Sequence, residues 1–221
     1  MEIAICLIIA LTAYLLGSIP AGYLAGKARG VDIRQVGSGN IGATNAFRIL
    51  GKTAGTIVLI ADAFKGWLAA AVVPGLVIQL FFAASGGGSS LNVEYLKIVA
   101  GIAVILGHNY PCWLKFKGGK GIATSGGVLI ALVPLAFLIS LAVWILVCVL
   151  TRYVSLASIC GALSLPIAAR LVKYPVHLVA ITALMSALAI YKHKANIVRL
   201  MNGTENKVGR KQGPPSTGVT S

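Results

Sequence analysis

Charge is scarce in this sequence. Only 11% of its 221 residues are charged, while 57% are hydrophobic; an ordinary soluble domain carries about 25% charged residues. No soluble core of this size hides so much apolar surface, so lipid is the expected solvent. Acid is scarcer still, with Glu2, Asp32, Asp62, Glu94 and Glu205 as the five carboxylates. The four cysteines, Cys6, Cys112, Cys148 and Cys160, form no CxxC pair, which speaks against a disulfide framework or a zinc site. No basic n-region precedes the first apolar run, so a retained span is expected there rather than a signal peptide.

Against this background stand long apolar runs, of which about 20 residues are needed to cross a bilayer. They cover Ile3–Ala25, Thr53–Val73 (extending toward Ala84), Tyr95–Gly107, Leu156–Leu171 and Val176–Ile190. A further stretch, Ile122–Leu150, is longer than one span and has Pro134 near its middle. There is no internal repeat. The net charge is +14. It sits between the apolar runs, which points to topology and anionic partners; no nucleic acid is expected.

Loop charge sets the orientation. Five basic residues lie between Lys27 and Lys52, three between Pro111 and Gly121, and six from Lys192 onward, but none in the Ser85–Glu94 loop. Basic loops face the cytoplasm, which places the N-terminus outside. If Ile122–Leu150 crossed once, the basic tail would fall outside. Two short helices broken near Pro134, half-buried in protein, return both Arg152 and the tail to the cytoplasm. The expected fold is therefore an all-α integral membrane protein. It is a seven-transmembrane-helix bundle with some short or broken helices, N-terminus outside and C-terminus cytoplasmic. Residues 1–207 form one domain, and 208–221 form a disordered tail.

Polar residues gather in four clusters on the cytoplasmic side. The first, Gly37-Ser38-Gly39-Asn40-Ile41-Gly42-Ala43-Thr44-Asn45 with Arg48, combines glycines that can turn N–H groups toward an anion with side-chain donors and a two-pronged guanidinium. Gly37, Gly39 and Gly42 match GxGxxG, but that fingerprint needs a strand before it and a parallel sheet around it, and membrane helices surround it here. The second, Gly107-His108-Asn109-Tyr110-Pro111 followed by Gly118-Gly119-Lys120-Gly121, puts a lysine at a helix start, where free N–H groups favour anions. It is not Walker A, because Gly121 stands where Ser or Thr is required. Ser155 and Ser158 form the third, one helical turn apart. The fourth is His193, Asn196 and Arg199, with Glu205 beyond. Asp62 and Lys65, one turn apart at membrane depth, are expected to pair with each other or with a loop arginine and hold structure.

In order and spacing, these clusters resemble the bacterial acyl-phosphate-dependent glycerol-3-phosphate acyltransferases, the PlsY family, from Gly17-Ser18-Ile19-Pro20 to about Lys207. The resemblance implies transfer of a fatty acyl group from acyl phosphate to the 1-hydroxyl of glycerol 3-phosphate. The products would be lysophosphatidic acid and phosphate, in the first acylation of phospholipid biosynthesis. It implies a seven-helix bundle in the bacterial inner membrane with its active site facing the cytoplasm. The partners it implies are acyl phosphate, glycerol 3-phosphate, membrane lipid and an enzyme that supplies acyl phosphate. No cofactor and no metal are implied.

On that basis Ser38, Arg48, Ser155, His193 and Asn196 are the expected catalytic residues. The expected substrate contacts are Gly37, Gly39, Asn40, Gly42, Thr44, Asn45, Gly118, Gly119, Lys120, Gly121 and Ser158. The Gly118–Gly121 loop would hold glycerol phosphate, with Ser38, Asn40, Thr44 and Arg48 on the acyl-phosphate head or bridging both phosphates. Ser155, His193 and Asn196 would orient the hydroxyl and the reacting carbonyl, and Glu205 would brace its basic neighbours. The position five after His108 is Trp113, so the His-x4-Asp pattern of many acyltransferases is missing. Two rivals remain. A transporter of a phosphorylated solute usually shows inverted halves. A phosphatidyl-alcohol transferase would want several metal-binding aspartates, and this chain has two.

Overall fold

A computed structural model describes residues 1–85 and 92–209. Most of the expected 208–221 tail and most of the Ser85–Glu94 loop lie outside the described residues. Ten α-helices are described: α1 (Glu2–Ser18), α2 (Ala21–Lys27), α3 (Ala43–Ala71), α4 (Val73–Ser85), α5 (Val93–Asn109), α6 (Ile122–Leu132), α7 (Pro134–Thr151), α8 (Val154–Leu171), α9 (Val176–Lys192) and α10 (Lys194–Met201). The described residues contain no strand, so the GxGxxG spacing has no dinucleotide fold around it.

Four helical stretches are long and apolar enough to cross a membrane: Glu2–Lys27, Ala43–Phe81, Pro134–Thr151 and Val154–Leu171. The α9–α10 pair, bent by 58°, makes a fifth if taken as one span. Large apolar side chains such as Leu11, Ile57, Ile60, Leu146, Val149 and Leu150 point outward. That is the pattern of a surface solvated by lipid.

Several breaks have local causes. The Ile122–Leu150 stretch divides at Val133, and Pro134 opens α7, where its missing N–H is no loss. α6 has 11 residues and is short, as expected for this stretch. α7 has 18 and is long enough to cross unaided, so the expectation of two short helices holds only for α6. Within α3, Gly51 adopts φ 82° and ψ 178° and kinks the helix. The segment before the kink begins at Ala43. Thr44, Asn45 and Arg48 therefore sit on a helix rather than in a loop.

Backbone carbonyls at proline breaks find partners, as they must where water is absent. Pro20 separates α1 from α2, and there the Ile19 carbonyl accepts from the Ala21 N–H at 3.2 Å and from Lys65 Nζ at 2.8 Å. Pro166 removes the N–H that would bond the Ala162 carbonyl, and Ser186 Oγ donates to that carbonyl at 2.5 Å.

In the packing, α1 lies along α5, α3 along α6, and α8 against both α7 and α9. Gly66 and Gly127 bring α3 and α6 into backbone contact. A Cβ at Gly66 would lie 2.1 Å from the Thr124 carbonyl oxygen, and one at Gly127 would lie 1.9 Å from that of Ala63. Small residues allow such approach between membrane helices, and here they fix the start of α6 beside α3.

Candidate active site

Four helices begin around one polar cavity of about 140 Å³. Gly42, Ala43 and Thr44 bring the start of α3 to it, and Gly121, Ile122 and Ala123 that of α6. Val154 and Ser155 bring the start of α8, and His193 and Asn196 that of α10. Unpaired N–H groups and the helix dipole make each such terminus attractive to an anion. Arg48 and Lys120 add full charge to the same wall.

Of the residues singled out from sequence, Ser38, Asn40, Gly42, Thr44, Asn45, Arg48, Lys120, Gly121, Ser155, Ser158, His193, Asn196 and Glu205 all line the cavity. Gly37, Gly39, Gly118 and Gly119 do not. Their part is in the loops behind it. The Gly39 N–H donates to the Val36 carbonyl at 3.1 Å, the Gly118 N–H to that of Asn109 at 3.2 Å and the Gly119 N–H to that of His108 at 3.1 Å. These amides are taken inside the protein, so side chains and helix starts supply the donors.

Asn45 is also occupied. Its Oδ1 accepts from the Ser38 N–H at 2.9 Å, and its Nδ2 donates to the Ile33 and Val36 carbonyls, both at 3.1 Å. The Asn40 side chain accepts from the Gly42 N–H at 2.8 Å. Both side chains fold the first loop onto itself.

Across the cavity, Glu205 ties several elements together. It accepts from Ser155 Oγ at 2.9 Å, Asn196 Nδ2 at 2.7 Å and Arg199 Nε at 2.7 Å. Burial pushes its carboxyl upward in pKa, but these three donors outweigh that and hold it below the usual range. Asn196 in turn accepts from Lys120 Nζ at 2.5 Å through Oδ1. Arg48 donates to the Asn206 carbonyl at 3.3 Å, and Arg152 to that of Val208 at 2.8 Å. The segment after α10 thus closes over the cavity.

Two titrating groups are perturbed in ways that matter. Burial, reinforced by Arg199, Arg48 and Lys192, pulls the Lys120 ammonium down to about 8 against the opposing pull of Glu205. Burial together with Lys120 brings His193 down to about 4, although its bond to Ala189 favours the charged form. His193 is therefore neutral near pH 7. Its Nδ1 lies 2.7 Å from the Ala189 carbonyl, which can only accept, so Nδ1 carries the proton and Nε2 is left as an acceptor.

A second, apolar cavity of about 300 Å³ adjoins the first, lined by residues including Leu129, Phe137, Leu141, Leu165 and Met185. Leu59, Ile122, Ala123, Trp144 and Ser158 border both. At the junction Trp144 Nε1 donates to Ser158 Oγ at 3.2 Å.

The cavity also contains groups that sequence reasoning left out. Asp62 and His108 line it, although Asp62 was expected only to hold structure, paired with Lys65 or with a loop arginine. The pair with Lys65 is present at 2.9 Å, and His108 Nδ1 lies 3.4 Å from the same carboxylate oxygen. A charged residue at membrane depth was the available signal for Asp62. His108 stood in the second polar cluster but was given no role there, and nothing local marks Trp144.

Residues 7–203 match the family model described as glycerol-3-phosphate acyltransferase. The chain belongs to that family. It is 47% identical over 197 residues to the glycerol-3-phosphate acyltransferase of Bacillus velezensis, covering 89% of this chain and 94% of the relative. With that of Desulforamulus reducens it shares 44% identity over 201 residues, 90% of this chain and 94% of the other. Among solved structures it resembles PlsY (YgiH), an integral membrane glycerol 3-phosphate acyltransferase, in its glycerol 3-phosphate form. The TM-score is 0.79 and the identity 40%, covering 92% of this chain and 96% of that one. Against the lysophosphatidic acid form the TM-score is 0.77 and the identity 39%. As a member of this family, the chain is an integral membrane protein.

Proposed function

We propose that this protein transfers a fatty acyl group from acyl phosphate to the 1-hydroxyl of glycerol 3-phosphate, releasing lysophosphatidic acid and phosphate. The observation that carries the reading is the join between the anion-attracting cavity and the apolar cavity. An activated acyl donor with an anionic head fits across it, with the head at the helix starts and the chain beyond Trp144. No cysteine lines the polar cavity, and Ser155 donates to Glu205 rather than to a histidine. A covalent acyl-enzyme is thus not called for, and the donor arrives already activated.

In this reading Arg48, Lys120 and the starts of α3 and α6 hold the two phosphates. His193 Nε2 accepts the hydrogen bond of the glycerol hydroxyl and aims its oxygen at the acyl carbonyl carbon. The new C–O bond forms as the bond from carbonyl carbon to phosphate oxygen breaks, and phosphate leaves. The hydroxyl proton passes to a substrate phosphate oxygen. A phosphate with a second pKa of about 6 is a better base than a histidine held far below that value. The main catalytic terms are placement of two bound anions and charge already arranged around them.

Residues 1–207 would act as one domain of seven membrane segments in the bacterial inner membrane. The N-terminus would lie outside, with cavity and C-terminus cytoplasmic and an acyl-phosphate-producing enzyme supplying the donor. Single cysteines at the exposed positions 2, 117 and 207 of a cysteine-free variant should label from outside, inside and inside. External labelling of position 207 refutes this topology.

The donor is tested directly. Purified protein is given glycerol 3-phosphate with acyl phosphate, acyl-CoA or acyl carrier protein thioester in separate assays without metal, and lysophosphatidic acid is measured. Product with acyl phosphate alone is expected. Product only with a thioester, or only with added divalent metal, sinks the assignment.

A further inference from the structure

Beneath the Gly118–Gly121 loop lies a buried polar group that the proposed reaction does not use. Asp62, Lys65, His108, Asn109 and Thr124 are all at most 5% exposed, and they come from α3, α5 and α6. Asp62 anchors the group, with Lys65 at 2.9 Å and His108 at 3.4 Å from one carboxylate oxygen. Lys65 is fixed in turn by the Ile19 carbonyl.

His108 is in intimate contact with the loop. A Cβ built on Gly119 would fall 2.0 Å from His108 Nε2, and 2.8 and 2.9 Å from two ring carbons. The carbonyls of His108 and Asn109 receive the Gly119 and Gly118 amides. The imidazole is thus the surface on which Gly119 rests, one residue before Lys120. Gly119 has no positive φ, so what requires glycine there is the closeness of the ring.

We propose that His108, held by Asp62, is the positioning residue that sets the Gly118–Gly121 loop and with it the place of Lys120 in the cavity. The proposal rests on the reading of Lys120 as a ligand of substrate phosphate. Its chemistry is steric and electrostatic: the buried imidazole fills the space between the Asp62 carboxylate, 3.4 Å from Nδ1, and Gly119, so the loop above rests on the ring.

The test is a double-mutant cycle on purified full-length protein, with glycerol 3-phosphate varied at saturating acyl phosphate. Gly119→Ala forces a methyl into the ring and should raise KM for glycerol 3-phosphate by about tenfold or more. In a His108→Ala background the methyl has room, and the same change should raise KM by less than about twofold. His108→Ala alone should act chiefly on KM, because the loop loses its support while the reacting groups remain. His108→Gln fills much of the same space and should restore KM toward the parent value; it also serves if His108→Ala fails to insert. Equal effects of Gly119→Ala in both backgrounds overturn the proposal. So does a His108 variant that lowers kcat and leaves KM unchanged, because that is the mark of direct participation. Failure of the parent protein to acylate glycerol 3-phosphate would instead refute the functional reading, so the two failures are distinguishable.

Discussion

The two glycine-rich loops look alike in sequence but are built in opposite ways. The first, around Gly37–Asn45, is held from within. Gly37 and Gly39 take positive φ values of 62° and 68°, and the Asn45 side chain gathers Ile33, Val36 and Ser38 around itself. The second, Gly118–Gly121, borrows its shape from the end of α5. Its amides bond to the His108 and Asn109 carbonyls, and two of its glycines are needed for close contact rather than for an unusual backbone. Glycine therefore serves two physical ends. In the first loop Gly37 and Gly39 permit a turn, and Gly37 also leaves room for Asn45 Oδ1. In the second, Gly118 and Gly119 remove side chains that would collide, while Gly121 alone takes a positive φ, 79°.

The largest expected effect tests the self-contained loop. Asn45→Ala removes three hydrogen bonds from a residue that is 1% exposed and leaves buried backbone groups unpaired. Each such group costs about 1–3 kcal/mol, so thermal unfolding should fall sharply and activity with it. Asn45→Asp, which keeps the acceptor but not the donor, should recover only part of the stability. A variant with unchanged unfolding would mean the loop is not held by this side chain.

Next comes the grip that the borrowed loop makes across the cavity. Lys120 bonds directly to Asn196, which also donates to Glu205, so one of the two Asn196 N–H groups is already engaged. Lys120→Ala should chiefly raise KM for glycerol 3-phosphate. Asn196→Ala should lower kcat by about 2–4 kcal/mol in barrier terms if its remaining N–H stabilises developing charge. Because the two side chains touch, their combined effect should depart from the sum by about 0.5–3 kcal/mol. Steady-state kinetics on both single variants and the double variant decides this, and strict additivity would show that the contact is idle during turnover.

The smallest effect is a pH dependence that separates the loops. Lys120 has its pKa lowered to about 8, so it is charged below that pH and neutral above it. KM for glycerol 3-phosphate should rise as pH increases through 8, by up to about tenfold per unit when substrate binds only the charged form. Arg48, on the first loop's side, stays protonated throughout. Lys120→Arg should therefore flatten the rise if it binds at all. A parent KM that is flat to pH 9 would remove Lys120 from phosphate binding.

Much of this protein was legible along the chain because its signals are local. A run of apolar residues declares a membrane helix by itself, and Pro134 marks a helix start because its ring forbids the bond a continuing helix would need. The motifs around Ser38, Lys120 and His193 carried the family resemblance on spacing alone. What could not be read was which groups face one another. Gly118 and Gly119 were expected to offer amides to a phosphate, and those amides turn instead to α5. Asp62 was expected to pair with Lys65 or a loop arginine, and it pairs with Lys65; that His108 lies beside them depends on how α3 and α5 cross.

The sequence by itself determined the solvent, the apolar segments, the family and the residue types available for binding anions. These follow from hydropathy, charge and short spacings, which do not depend on distant neighbours. The tertiary structure decided that four helix starts meet at one cavity and that an apolar cavity adjoins it. It also decided that Gly119, one residue before Lys120, packs against the ring of His108. The reason is the same in each case. Those features arise from close helix contacts such as Gly66 against Thr124 and Gly127 against Ala63, between segments tens of residues apart, and no local pattern encodes the angle and depth at which such helices settle.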